Sequence, residues 1–253
     1  MARTGSRKSL KRLNTPKFMQ IPRKHGKYFV NPRAGPHPAR DCLPLLHIVR
    51  DLFKIVDVYK DAKKLITSGN FMVDGKVVKD IKYPVGLMDV LSIERINKYY
   101  RVLPYPHHKY ILQEISEEES HYKLCRINNK TTVKGGHLQL NLHDGRNILL
   151  RVQDPRSPKE DIYKVMDVLK ISVPEQEILK LLKFQKGNLA IITSGLKQDV
   201  GSIGKIVNIK KRYGPKASTV SIEQDGKSTE TLYDYTFIIG EDKSEIILPK
   251  IEG

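Results

Sequence analysis

Among the side chains of this sequence that could do chemistry, cations dominate, and the chemistry they suit is the neutralisation of phosphate. Lysine and arginine number 45 against 28 aspartates and glutamates, a formal charge of +17. Residues 1–40 carry eleven of these cations, Arg3, Arg7, Lys8, Lys11, Arg12, Lys17, Arg23, Lys24, Lys27, Arg33 and Arg40, with no acid among them. His37 lies in the same stretch. Further on, Lys60, Lys63 and Lys64 share one face of a predicted helix, and Lys76 follows a predicted turn. Together these positions are the candidate contacts to a polyanion.

Other chemistries are less well served. Ser116-Glu117-Glu118-Glu119 has the look of a carboxylate cluster, but serine with glutamate three positions later is a capping box, and acids suit the positive end of a helix. His107 and His108 adjoin, whereas His121, His137 and His143 stand apart with no cysteine or carboxylate at ligand spacing. Cys42 and Cys125 fit free thiols in a reducing compartment. The sequence shows neither a phosphate-cradling Walker loop nor a dinucleotide fingerprint. It has no apolar run of about 18 residues and no signal-peptide core at its start.

The cations of residues 1–40 sit among Pro16, Pro22, Pro32, Pro36 and Pro38 and three glycines. Such a segment is expected to bury too little apolar surface to offset its chain entropy, and so to be an extended arm that orders on RNA. A membrane-surface helix is excluded by the prolines; nuclear import is the rival use of Arg7-Lys8 and Lys11-Arg12. From Asp41, apolar residues at Leu45, Ile48, Val49, Leu52, Phe53 and Val56 predict an amphipathic helix with Pro44 in its first turn. Asp57 is the expected N-cap of a second helix, with Val58, Ala62, Leu65 and Ile66 on its apolar face and Gly69 at its C-cap. A hairpin then turns at Asp74-Gly75, whose residue types suit a type I′ turn.

Beyond Tyr105 short strands are expected, including Leu138 to Leu142 paired with Ile148 to Val152, and Leu169 to Val173; Glu175 to Phe184 is compatible with helix or strand. Gly187 to Gly195, followed by Gly201, Gly204 and Lys205 to Ile209, forms a glycine-bracketed β-turn-β pattern. Gly195 is expected to need a positive φ, and Gly204 to allow a close approach by RNA or protein with the free fold indifferent to a larger residue.

Two local patterns resemble known modules. Ala62-Lys63, Leu65-Ile66, Gly69, Phe71, Val73, Asp74-Gly75 and Asp89-Val90 resemble the alpha-L RNA-binding motif, with Asp74 in place of an asparagine and Met88 in place of a glycine. Residues 187–209 resemble the KOW motif. Taken with Leu10-Lys11-Arg12-Leu13, Gly35-Pro36-His37, Leu43-Pro44-Leu45, the run Tyr83 to Val90, Tyr122-Lys123-Leu124, His143-Asp144-Gly145 and Gly187-Asn188, the chain resembles over its full length the archaeal and eukaryotic small-subunit ribosomal protein number four, e-type. The lack of a longer basic tail points to the archaeal branch.

The resemblance implies an α+β multidomain protein: an extended basic arm (1–40), an alpha-L module (41–103), a central β-rich domain (104–184) and a small KOW-like β-barrel with the C-terminal segment (185–253). It implies a structural constituent of the cytoplasmic small ribosomal subunit that binds small-subunit rRNA and neighbouring ribosomal proteins. No catalytic residue, metal, cofactor, membrane, small-molecule substrate or homo-oligomer is expected. The alternatives are an accessory to an RNA-modifying enzyme and a KOW-type transcription elongation factor.

Overall fold

Apolar and polar side chains alternate in segments such as Leu138–Leu142 and Thr219–Gln224, and strands accordingly carry the fold. In Leu138–Leu142 the three leucines are buried while Gln139 and Asn141 are only partly so, the period-two pattern of a sheet with one covered face. The computed structural model describes residues 9–21, 24, 26–153, 161–224 and 226–249.

Three five-stranded antiparallel sheets follow one another along the chain. The first is ordered Lys76–Val77, Phe71–Val73, Val90–Ile93, Lys98–Tyr105, Lys109–Ile115. The second is ordered Asn147–Leu150, Leu138–Leu142, Tyr122–Thr132, Val168–Ser172, Ile178–Leu182. Its long strand Tyr122–Thr132 shifts register between Ile127 and Asn129, which lets one half pair with Val168–Ser172 and the other with Leu138–Leu142. The third is ordered Lys227–Leu232, Thr219–Gln224, Ile203–Lys210, Leu189–Ile192, Thr236–Gly240. The segment with two readings, Glu175 to Phe184, contains the strand Ile178–Leu182.

Each sheet contributes to a core, and two of the three cores are shared between regions. The first sheet packs with Leu45, Leu46, Ile48, Val49, Ala62 and Ile66, and with Met19 and Phe29 from the arm. Met88 and Leu103 of the first region and Leu124, Val168 and Leu182 of the second pack with the third sheet. The first sheet continues past residue 103 to Ile115, because Lys98–Tyr105 and Lys109–Ile115 form a hairpin in register from Tyr99 opposite Ile115 to Tyr105 opposite Lys109.

The described part of the arm packs against the fold. Leu10–Lys11 pairs with Tyr28–Phe29, Met19 is fully buried, and His37 is 5% exposed. Its few apolar residues use a core supplied by the folded module, so the segment does not need a core of its own. The first predicted helix is also shorter than its apolar periodicity. Leu45–His47 is α-helical and runs into a wider π-turn, Ile48–Leu52, where the Phe53 N–H donates to the Ile48 carbonyl at 2.9 Å. Lys54 then adopts φ 51°, which ends the helix before Val56.

The second helix is Tyr59–Thr67. Asp57 does not cap it; Val58 holds the N-cap position with no side-chain bond, and its side chain is exposed. The C-terminal expectation holds, with Gly69 at φ +84° donating its N–H to the Ile66 carbonyl. The turn also holds, since Asp74 (φ 50°) and Gly75 (φ 69°) are both left-handed as a type I′ turn requires. Met88 takes φ 65°, the backbone that a glycine would adopt more readily. Ser116 caps Glu117–Ser120 by accepting from the Glu119 N–H.

The two glycines of the 187–209 pattern separate. Gly195 has φ +126° with its nearest outside atom at 3.6 Å, so conformation is what it supplies. A β-carbon on Gly204 would lie 2.3 Å from the Glu223 carbonyl oxygen of the neighbouring strand. The close approach expected at Gly204 is therefore made by the chain's own backbone, and a valine there would strain the free fold. This corrects the expectation of indifference.

Candidate nucleic-acid interface

Helix Tyr59–Thr67 is held by Ala62 and Ile66, which are fully buried in the first core. Helical geometry then turns Lys60, Lys63 and Lys64 outward, and all three are exposed. Lys76 is exposed on the hairpin below. Among the described residues none of these four makes an ion pair with a carboxylate. Lysines at i, i+3 and i, i+4 repel one another, and a phosphate would relieve that repulsion where the protein itself does not.

The arm meets this helix across a cleft of about 300 Å³ lined by Ser9, Tyr28, Phe29, Val30, Asn31, Arg50, Tyr59, Ile81 and Lys82. Tyr28 and Tyr59 are both exposed there, one on each side. Lys11, Lys17, Lys24, Lys27, Arg33 and Arg40 are exposed, and Arg12 is half-buried. Arg33 pairs with Asp80 at 3.2 Å and Arg40 with Asp41 at 3.6 Å, both in solvent where such pairs hold little energy. Arg3, Arg7, Lys8 and Arg23 lie outside the described residues.

His37 is placed elsewhere, in a buried ionic cluster. Its Nε2 lies 3.0 Å from Asp89 Oδ1. Lys123, fully buried, sets its Nζ 2.5 Å from Asp89 Oδ1 and 2.9 Å from both Asp74 Oδ2 and Asp144 Oδ2. Arg146 bridges Asp74 at 2.6 Å and Asp144 at 3.1 Å. Backbone N–H groups satisfy the remaining oxygens, Gly86 donating to Asp89 and Val90 to Asp74. A β-carbon on Gly86 would fall 2.3 Å from the His37 ring, so glycine is what lets the arm reach Asp89.

Burial alone would raise the Asp89 carboxyl, but Lys123 and His37 outweigh it and hold the group well below the usual range. Burial likewise opposes ionisation of Asp144, yet Lys123 and His143 bring it down to about 2. Burial also works against a charged Lys123, and the three aspartates together keep it protonated, well above the ordinary lysine value. The cluster therefore joins the arm, the first sheet and the second through buried ion pairs and hydrogen bonds. Its chemistry is that of a latch.

Cys125, His143 and Asp144 bring their ligand atoms together within 4.8 Å. That donor set does not suit a metal. His143 Nδ1 accepts from the Arg126 N–H and its Nε2 donates to the Leu87 carbonyl, both at 3.2 Å. Asp144 is committed to Lys123 and Arg146, and burial pushes the Cys125 thiol well above its ordinary value. Nor is the glutamate cluster catalytic in layout. The buried Glu119 accepts from the Ile247 N–H and faces Arg101 Nε at 3.3 Å, so it pins the C-terminal segment to the first sheet.

Sequence reading missed this cluster and the Arg101–Glu119 pair. One signal was present: Lys123 alternates with Cys125 and Ile127 along a strand, on a face whose other members are fully buried. A lysine on an apolar face implies carboxylates opposite it.

Comparison with known proteins gives the chain's relatives. Family models match as the RS4NT domain over residues 4–40, the S4 domain over 60–91 and ribosomal family S4e over 96–178. The chain is 50% identical over 251 residues to the small ribosomal subunit protein eS4 of Staphylothermus marinus, covering 99% of each chain. It is 49% identical to that of Aeropyrum pernix over 99% of this chain and 98% of the relative. The match to the Methanocaldococcus jannaschii protein is 47% over 98% and 100%. The crystal structure of 30S ribosomal protein S4e from Thermoplasma acidophilum superposes with a TM-score of 0.66 at 32% identity, covering 79% of this chain and 96% of that one. On full-length identity at this level, the chain belongs to the ribosomal family S4e.

Proposed function

We propose that this protein is a structural constituent of the small ribosomal subunit that binds and stabilises small-subunit rRNA beside neighbouring ribosomal proteins. The observation that carries the reading is identity near one half along the whole chain to proteins named for that subunit. The physical support is the lysine face of helix Tyr59–Thr67, anchored by buried apolar residues and unpaired with carboxylates among the described residues. Phosphate contacts from this face and from the arm supply affinity, and the rigid modules read RNA shape. Lys11, Arg12, Lys17, Lys24, Lys27, Arg33, Arg40, Lys60, Lys63, Lys64 and Lys76 are the contacts proposed within the described residues.

His37 is proposed instead as the arm's anchor, which leaves the neighbouring exposed cations to face RNA. The third sheet, with left-handed Gly187 and Gly195 flanking its strand Leu189–Ile192, supports a KOW-like module. The protein is read as non-catalytic, and as cytoplasmic by virtue of its place in the ribosome. No helix of the described residues is long and apolar enough to cross a membrane. Sucrose-gradient sedimentation tests the assignment: the protein should travel with small subunits at one copy each. Co-migration with RNA polymerase instead would favour an elongation factor and overturn it.

A further inference from the structure

The third sheet carries a feature that the lysine helix and the arm do not explain. Between strands Ile203–Lys210 and Thr219–Gln224 the chain runs Lys211-Arg212-Tyr213-Gly214-Pro215-Lys216-Ala217, and every one of these residues is exposed. The Tyr213 side chain is 97% exposed, the most exposed large apolar residue among those described. The neck of the loop is closed: Lys210 pairs with Thr219, and the Arg212 N–H donates to Ser218 Oγ at 3.0 Å. The loop thus presents three cations and an aromatic ring from a fixed base, with no acid among residues 211–218.

A cleft of about 190 Å³ adjoins that base, lined by Ile162, Lys164, Asp167, Lys183, Phe184, Gln185 and Lys211. Its one carboxylate is already occupied. Asp167 accepts from the Lys164 N–H at 2.9 Å and the Phe184 N–H at 2.8 Å, one on each oxygen. Lys164, Lys183 and Lys211 make no ion pair with any carboxylate among the described residues. Three ammonium groups around a small cleft, beside a cationic loop, form a surface complementary to closely spaced anions.

We propose that loop 211–218 and the adjoining cleft form a second RNA-contact site, in which the lysines and Arg212 hold backbone phosphates and Tyr213 stacks on an unpaired base. Isolated exposed apolar residues are common and need no partner. Here the ring stands inside a cluster of cations, the combination that single-stranded RNA uses: charge follows the backbone while an aromatic face accepts a base. The site lies on a different sheet from helix Tyr59–Thr67. Simultaneous engagement would therefore give a bivalent grip, each site raising the effective concentration of the other.

The inference rests on the rRNA-binding reading, and its test separates the two. Full-length protein is titrated against a transcript of small-subunit rRNA at several salt concentrations. Tyr213→Ala should weaken binding about tenfold while Tyr213→Phe retains affinity, as expected of stacking. The triple variant Lys211→Ala, Arg212→Ala, Lys216→Ala should reduce the slope of log affinity against log salt by about 0.7–0.9 for each phosphate that is no longer neutralised. All variants should melt with the wild type, because these side chains are exposed. Wild-type affinity and salt slope in both Tyr213→Ala and the triple variant would overturn the second site while leaving rRNA binding intact. Failure of the wild-type protein to bind the transcript would overturn the parent reading, and this site with it.

Discussion

Lys123 and Lys63 are the same side chain in opposite surroundings, and the contrast separates what holds this protein together from what it offers to a partner. Lys123 is fully buried with three aspartates and stays charged because they surround it. Lys63 stands in solvent on a helix whose neighbouring cations repel it. A buried charge whose partner is removed destabilises strongly, whereas an exposed one costs the fold almost nothing to lose. The latch and the RNA-facing surface should therefore respond in opposite ways to the same substitutions.

The sharpest test is Lys123→Met. It leaves Asp74, Asp89 and Asp144 with Arg146 and His37 alone, and should cost about 3–5 kcal/mol in denaturant unfolding. A variant as stable as the wild type would break the comparison at its root. Acid should act on the same cluster. The Asp144 carboxyl is held at about 2 in the fold, below its unfolded value of about 3.9. Its contribution is full above the unfolded value and disappears as pH falls through the folded one, amounting to about 2–3 kcal/mol for this residue. Chemical denaturation from pH 5 to pH 2 measures that slope, and Asp144→Asn should remove this residue's share. A flat profile would mean that the carboxylate is not held by the cluster.

Gly86→Ala should come next, at about 1–3 kcal/mol, since its β-carbon displaces His37 from Asp89. Because His37 anchors the arm, trypsin should cut at Arg33 and Arg40 faster in this variant. Unchanged protection would show that Met19 and Phe29 hold the arm without the histidine. The smallest effect on stability belongs to Lys63→Ala with Lys64→Ala. The melting temperature should stay within about a degree of the wild type, in keeping with surface substitutions, while affinity for small-subunit rRNA falls at near-physiological salt. Undiminished affinity would return these lysines to an ordinary solvated face.

Much of the fold could be read directly because its signals are local. The turn at Asp74-Gly75 follows from two adjacent residues that tolerate left-handed backbone. The leucines of Leu138–Leu142 alternate within five residues. Ser116 caps from three residues away. Errors arose where the backbone broke a periodic run or where a distant element intervened. The periodicity from Leu45 to Phe53 is genuine, but the π-turn and left-handed Lys54 end that helix before Val56. The arm lacks the composition for a core of its own, yet Met19 and Phe29 enter one built from residues 43–110.

The sequence by itself determined the charge, its concentration ahead of Asp41, the helix-hairpin that carries Lys60, Lys63 and Lys64, and the succession of strands behind it. Each depends on composition or on spacing within a few residues, where backbone geometry alone relates one side chain to the next. Only the tertiary structure decided which charges face solvent. Lys123 meets Asp74 across 49 positions and Asp89 across 34, and His37 meets Asp89 across 52. Burial and pairing are set by the packing of separate elements, and a charge becomes a latch or a docking point according to whether that packing brings opposite charge to it or leaves it facing water.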